Sequence, residues 1–358
     1  GGIDDSVYVY NLNFNFIGEL IEPTNDISSL DIDDATGEIA ASDLGGSTYV
    51  YDSDFNLIIQ IGYPSGNPLS VSYNQGSGTA GTLAIGGEDN NAYIYDSDYN
   101  EINNVSFPAT VRSVDWRASD GHLAVGGDNP TVRVFDNSFS LDQTVNTNHQ
   151  GTTKVAFGSE NAQLAVLDEE KVHIYSSGFT RQDTLTQGEG GPIGDIAWDG
   201  TGRIAHGSQD DFVYVYDQNA SHIKTFDEGQ RDYRSIDWGP EQLLVAGTLQ
   251  QQDGEAYVYS TAVSGFFEWG IEGTGTPNRV RSGPLRSEGI KYTFDLDGLT
   301  PDTVHDFRAG AEASEGRTAF GETLSFETPK LDVRTNPVQS ENIGPLSADV
   351  SGEVTSFN

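Results

Sequence analysis

Two short segments, Asp52-Ser53-Asp54-Phe55-Asn56 and Asp96-Ser97-Asp98-Tyr99-Asn100, space oxygen donors two residues apart. That is how a loop that holds Ca²⁺ begins, because a hard cation needs several carboxylate or carbonyl oxygens within one turn of chain. The sixth position lacks the glycine and the twelfth the glutamate that would complete such a loop. The same turn recurs as Asp136 to Ser140 and Asp217 to Ser221, and once without carboxylates, as Ser176 to Thr180. A turn that tolerates this exchange is explained by Asp and Asn side chains bonding their own backbone. Asp52, Asp54, Asn56, Asp96, Asp98 and Asn100 are thus the calcium candidates, but no bound metal and no cofactor are expected.

Other chemistry finds less support. With 55 acidic residues, carboxylate pairs arise by chance, and none stands apart as the acid and base of a glycosidase. No Gly-x-Ser-x-Gly elbow stands in a strand-to-helix context. Cysteine is absent, which excludes thiolate nucleophiles, disulfides and thiolate zinc sites. The six histidines stand at strand ends, turns or alternating strand positions, and only His149 and His206 invite inspection; structural roles are expected for both. A non-enzyme is expected, with no catalytic residues.

The net charge of -37 comes from 55 Asp and Glu against 18 Lys and Arg. It argues against nucleic acid as a partner and against anionic membrane, both of which need clustered cations. No apolar run is long enough for a membrane span. Disorder is not expected either, since 16 Tyr, 17 Phe and 4 Trp recur in strand-like runs. A folded protein with a carboxylate-rich, lysine-poor surface fits molar salt, in which repulsion is screened over about 3 Å. Methionine is absent even at position 1, so a processed or trimmed piece is expected.

The elements that would position these residues repeat. An alternating apolar segment ends in an aromatic residue at Tyr10, Tyr51, Tyr95, Phe135, Tyr175, Tyr216 and Tyr259, at intervals of 40 to 44 residues. Period-two alternation and frequent turn residues give strands, and a period of forty-odd residues gives propeller blades. Val111–Trp116, His122–Gly127, Thr131–Asp136 and Leu141–Val145 form one four-stranded unit; Pro192 to Phe226 repeats it. Tyr8, Tyr49, Tyr93, Tyr214 and Tyr257 precede the aromatic ends by two and are expected to pack between blades.

The segment GGPIGDIAWDGTGRIAHGSQDDFVYVYD resembles the repeat of WD-repeat proteins, with Tyr-Asp in place of Trp-Asp. The resemblance covers roughly residues 1 to 260 and implies a seven-bladed β-propeller over 1–262. The family's structural Asp is matched by Asp4, Asp89, Asp210 and Asp253, but is replaced by Gly45, Asn129 and Glu169 in other repeats. The family's Gly-His pair is matched only by His149. Blade-internal hydrogen-bond networks are therefore expected to be incomplete. Gly1 to Asp5 matches the turn between second and third strands, so upstream residues are expected to complete blade one, and the outer strand of the last blade as well.

From Phe266 the period is lost. FFEWG, GIKYTFDLDGLTPDTVHDFRAGAEA and ETLSFETP resemble a fibronectin type III domain over 263–330, with Trp269 as the core tryptophan. His305 stands where that family's corner tyrosine is expected. Its opening strands have no room before Phe266, so further residues near Ala262 are expected. Residues 331–358 read as the start of a second such sandwich. The fold class is thus all-β: a seven-bladed propeller followed by a fibronectin type III-like sandwich and the start of another.

These expectations combine into a non-catalytic structural or adhesive protein exposed on a halophilic virion, as tail fibre, baseplate or capsid spike, or on a cell surface. The chain pattern resembles haloarchaeal viral and surface proteins of that build. Its partners would be other virion or surface proteins, a host glycan or glycoprotein, or further copies of the chain. Asn104 and Asn219 head Asn-x-Ser tripeptides that fit N-glycosylation. Two alternatives stand beside it: an intracellular WD-repeat scaffold, and a propeller hydrolase or quinoprotein with a group on the central axis.

Overall fold

The computed structural model describes residues 5–11, 15–76, 81–147, 151, 153–158, 162–168, 171–185, 193–227, 232–239, 243–248, 256–260, 263–274, 278–285, 291–296, 299–300, 302–312, 318–320, 322–328 and 348–353. Two compact units result, Gly1–Trp238 with Val245–Tyr257 and Gly239–Leu244 with Val258–Asn358. All regular structure among the described residues is β-strand, as runs such as Phe212–Tyr216 (FVYVY) require, being β-branched, aromatic and bounded by turns.

The first unit is a succession of antiparallel sheets. A pair, β1 (Val7–Tyr10) and β2 (Phe16–Leu20), precedes five four-stranded sheets, each ordered as in the sequence. These are β3 (Ile27–Ile32) to β6 (Leu57–Gly62) through β4 (Ile39–Asp43) and β5 (Ser47–Tyr51), then β7 (Pro68–Tyr73) to β10 (Glu101–Ser106) through β8 (Leu83–Gly87) and β9 (Asn91–Tyr95). The third joins β11 (Val111–Arg117), β12 (His122–Gly127), β13 (Asn129–Phe135) and β14 (Leu141–Asn146). The fourth joins β15 (Thr153–Phe157), β16 (Leu164–Asp168), β17 (Val172–Tyr175) and β18 (Arg181–Leu185). The fifth joins β19 (Ile193–Trp198), β20 (Ile204–Ser208), β21 (Phe212–Tyr216) and β22 (His222–Asp227). A three-stranded sheet follows, of β23 (Tyr233–Gly239), β24 (Leu243–Thr248) and β25 (Ala256–Ser260).

The second strands are the driest, with every residue of β4, β8, β16 and β20 buried. Their small residues let the next sheet come close: a Cβ on Gly86 would lie 2.4 Å from Val111 Cγ1. Apolar side chains of consecutive sheets merge, for example Ala84, Ile94 and Val105 with Val114, Trp116 and Leu123, so no sheet hides its own core alone. Tyr49 and Tyr51 are 4% and 0% exposed, whereas Tyr8 and Tyr10, which lack a second strand beside β1 among the described residues, are 45% and 55% exposed.

A second device ties first strand to first strand. A bulge between the opening residues of β3, β7, β11 and β19 disturbs pairing with the second strand, and side chains just after it bond the adjacent sheet. Ser29, Ser70 and Ser113 Oγ accept from the N–H of Val71, Val114 and Val155 at 3.0–3.1 Å. Trp116, Trp198 and Trp238 donate Nε1–H to the carbonyls of Ser72, Ala156 and Ala197.

In the second unit β26 (Val263–Ile271) lies between β27 (Asn278–Leu285) and β29 (Val304–Glu312), and β29 also pairs with β30 (Thr318–Phe320) and β31 (Leu324–Glu327). Phe267 and Leu299 form its buried centre, with Trp269, Phe307, Ala309 and Phe326 packed against them. Strand β28 (Lys291–Leu296) pairs with β32 (Ala348–Glu353).

Candidate functional site

The carboxylate turns close on themselves. Asp52 Oδ1 accepts from Asp54 N at 2.9 Å and Asn56 N at 2.8 Å, and Asp96 does the same with Asp98 and Asn100. These bonds, those from Asn56 to Asp52 foremost, hold both carboxyls below their usual range. Asp136 and Asp217 repeat the pattern, and Ser176 Oγ substitutes in the remaining turn, accepting from Thr180 N. The lone pairs that would face a cation thus face backbone donors. Among the described residues no group of three or more His, Cys, Asp or Glu side chains is arranged to hold a metal.

The turn has another use. Its fourth residue takes the left-handed conformation, with φ between 60° and 66° at Phe55, Tyr99, Phe139, Phe179 and Ala220. A side chain there costs about 1 kcal/mol, and the aromatic ones offset it by reaching the preceding sheet. Phe179 lies 5.0 Å under the guanidinium of Arg117, and Tyr99 Oη donates to Glu38. Arg117 is itself buried, forked onto Asp120 at 2.8 and 2.9 Å and bonded to the Ser177 carbonyl.

The tight turn before each third strand carries a second network. Asp89 accepts from the hydroxyls of Tyr63 and Tyr93, both at 2.7 Å, and Asp210 from Tyr214 at 2.8 Å. Burial first, then these carboxylates, push the three phenols upward and keep them as donors. Where the repeat departs from its pattern, neighbours substitute. Beside Gly45, Asp43 Oδ1 accepts from Gly45 N and Ser47 N; Asn129 Oδ1 accepts from Thr131; next to Glu169, Asp168 joins His173 Nε2 at 2.8 Å. Asp4, His149, Glu169 and Asp253 lie outside the described residues.

His206 is fully buried, stacked on Tyr214 and Tyr216 at centroid distances of 5.1 and 5.6 Å. Burial, with a smaller push from His222, lowers it to about 3. It is a neutral core residue, which suits packing and not proton transfer near pH 7.

The sites that sequence reasoning passed over lie on the first strands. Asp31 Oδ2 accepts from Tyr73 N at 2.7 Å, Asp115 from Phe157 N, and Asp195 from Ile236 N at 3.2 Å. Loss of surrounding water raises Asp31 to about 7 and Asp115 and Asp237 to about 6, and like charges add to each shift. Asp237 keeps the most solvent contact, so salt screens its shift most readily. Asp237 adds to the shift of Asp31, and Asp34 to that of Asp237, although sheets far apart in sequence carry them. The signal was present as a recurring Ser-x-Asp in SSLDI, RSVDW and RSIDW, but a small polar residue in a strand reads as surface until its partner is known.

In the second unit Glu268 is buried between two guanidiniums, Arg279 (Nε at 2.9 Å) and Arg308 (Nε at 2.9 Å, Nη2 at 2.7 Å). Burial pushes its carboxyl up, but the two cations outweigh that and hold it below the usual range. Arg279 also lies over the Phe266 ring and Arg308 over that of Phe320, at 4.2 and 3.7 Å. Trp269 is half-buried beside the core. His305 is buried, stacks on Phe326 and sets Nε2 3.3 Å from the Thr300 carbonyl, a bond to backbone a few residues upstream. Asn104 and Asn219 are both exposed.

Residues 103–136, from β10 of one sheet through β13 of the next, match the family model described as WD domain, G-beta repeat. A search of curated proteins found no match. Together with the recurring antiparallel sheets, the match makes the chain similar to WD-repeat proteins in having a β-rich fold of that kind.

Proposed function

We propose that this chain is a seven-bladed propeller used as a rigid, non-catalytic platform for protein partners, joined to a fibronectin type III-like sandwich over 263–330 and the start of a second. WD40 domains generally mediate protein–protein interaction. The observation that carries the reading is the repeated tie between first strands: it commits Ser, Asp and Trp side chains to joining sheets and leaves the connecting loops free to vary.

We place the platform outside the cell or on a virion, in a salt-adapted lineage, where it binds virion or surface proteins, or a host glycan or glycoprotein. The net charge of -37 with 18 cationic side chains supports that setting. The same WD match supports an intracellular scaffold equally well. Fractionation of the native source separates the two: recovery with purified virions or cell envelopes is expected, and recovery in cytosol alone overturns the exterior reading.

A further inference from the structure

One cleft lies entirely within the second unit. It has a volume of about 290 Å³, just under the roughly 300–1,000 Å³ of small-ligand sites. Its walls are the end of β26 with the turn that follows, and β29 beside Thr323. In register, Glu268 stands opposite Arg308 and Gly270 opposite Asp306, so these four share one face of the sheet. Gly270 puts no side chain opposite Asp306, and both residues line the cleft.

The polar groups here are fixed before any ligand arrives. Arg308 is held through Nε and Nη2 on Glu268 and stacked on Phe320. Asp306 Oδ1 accepts from Ser325 Oγ at 2.7 Å. Thr274 is anchored by its hydroxyl donating to the Ile271 carbonyl at 2.8 Å, which leaves its oxygen free to accept. Side chains set in place in this way spend little entropy on binding.

The charge balance selects the class of ligand. Arg279 and Arg308 share the carboxylate of Glu268 and Asp306 supplies a second one, so the cluster carries no excess of either sign, and the chain as a whole repels anions. A bare ammonium is disfavoured by the guanidinium beside Asp306. What remains is a fixed carboxylate acceptor, a guanidinium donor and threonine hydroxyls about an uncharged gap. Adjacent hydroxyls on a sugar ring each present one donor and one acceptor and satisfy such a set.

We propose that this cleft binds one neutral pyranose unit of a glycan, with Asp306 accepting from ring hydroxyls and Arg308 donating to them. The proposal rests on the reading of the chain as a recognition protein, and it places glycan recognition on the second unit, apart from the propeller.

Saturation-transfer NMR of the full chain with the methyl glycosides of glucose, galactose, mannose and N-acetylglucosamine tests it. At least one glycoside is expected to receive saturation, with affinity reduced about tenfold or more by Asp306→Ala, since a hydrogen bond to a charged group is lost. Ser325→Ala is expected to weaken binding less, and circular dichroism of both variants shows whether the sheet is kept. No transfer to any of the four, or transfer unchanged in a folded Asp306→Ala chain, overturns the proposal. Either failure leaves the protein-platform reading standing, because fractionation with virions or envelopes tests that reading without reference to this cleft.

Discussion

The two units answer the same difficulty, a carboxylate enclosed by protein, in opposite ways. In the first, Asp31 and Asp115 receive backbone N–H donors, and both rise. In the second, Glu268 receives two guanidiniums and falls. Burial acts in the same direction on all three; the partner decides the outcome. With 18 cationic side chains against 55 carboxylates, most acids go without an arginine. The repeat therefore relies on neutral donors, tyrosine hydroxyls and main-chain amides, and spends its arginines at single points.

Arg117 is such a point in the first unit, and removing it breaks the comparison most sharply. Arg117→Ala leaves Asp120 without its fork and strips the cation from the faces of Phe157 and Phe179, for an expected loss of about 3 kcal/mol. Chemical denaturation followed by tryptophan fluorescence reads it, and the transition that carries Trp269 should not move. Glu268→Gln is the matching test in the second unit. It leaves two partly exposed guanidiniums that can turn toward water, so the expected loss is smaller, about 2 kcal/mol.

The third test sharpens the comparison through pH. Asp31 holds its proton to about pH 7 when folded, against 3.8 as its ordinary value. Between those values the folded state binds the proton that the unfolded state has released, so this contribution is full at the acid end and is lost as pH rises from about 4 to about 7. The slope is at most about 1.4 kcal/mol per pH unit for each such group. His206 works against it in the same unit: its folded value of about 3 lies below 6.5, so its contribution is present above 6.5 and lost as pH falls toward 3. Asp31→Asn should therefore flatten the decline of stability from pH 4 to 7, and His206→Phe should steepen it. Glu268, being lowered, contributes stability above its ordinary value and loses it as pH falls.

The smallest effect is expected at the carboxylate turns. Asp52→Ser reproduces the donor pattern that Ser176 already shows, so the melting temperature should drop least of all these variants. Calcium added or chelated at constant ionic strength should leave it unchanged.

Much of this was legible in advance. Strand type and spacing followed from period-two alternation and from seven aromatic ends 40 to 44 residues apart, because a strand announces which face is buried. The self-closing turns followed too, from one example with no carboxylates. What stayed hidden was every hydrogen bond made to the neighbouring sheet. Ser70, Asp115 and Trp116 look like alternating strand residues until the next first strand supplies an amide or a carbonyl. Asp43 and Asp168 could not be chosen over Gly45 and Glu169, because a one- or two-residue shift of the acceptor leaves the aromatic period intact. Glu268 and Arg308 are forty residues apart in sequence and meet only through the register of β26 and β29.

The propeller we propose requires the row of first strands to curl into a ring. Since the chain has no cysteine, Asp34→Cys and Asp237→Cys can be spin-labelled as a unique pair and their separation measured by pulsed electron resonance. A ring places the labels within about 20 Å of each other, roughly two sheet spacings. Sheets stacked in a straight row would set the two positions about 50 Å apart, and a distance distribution centred there would contradict the account.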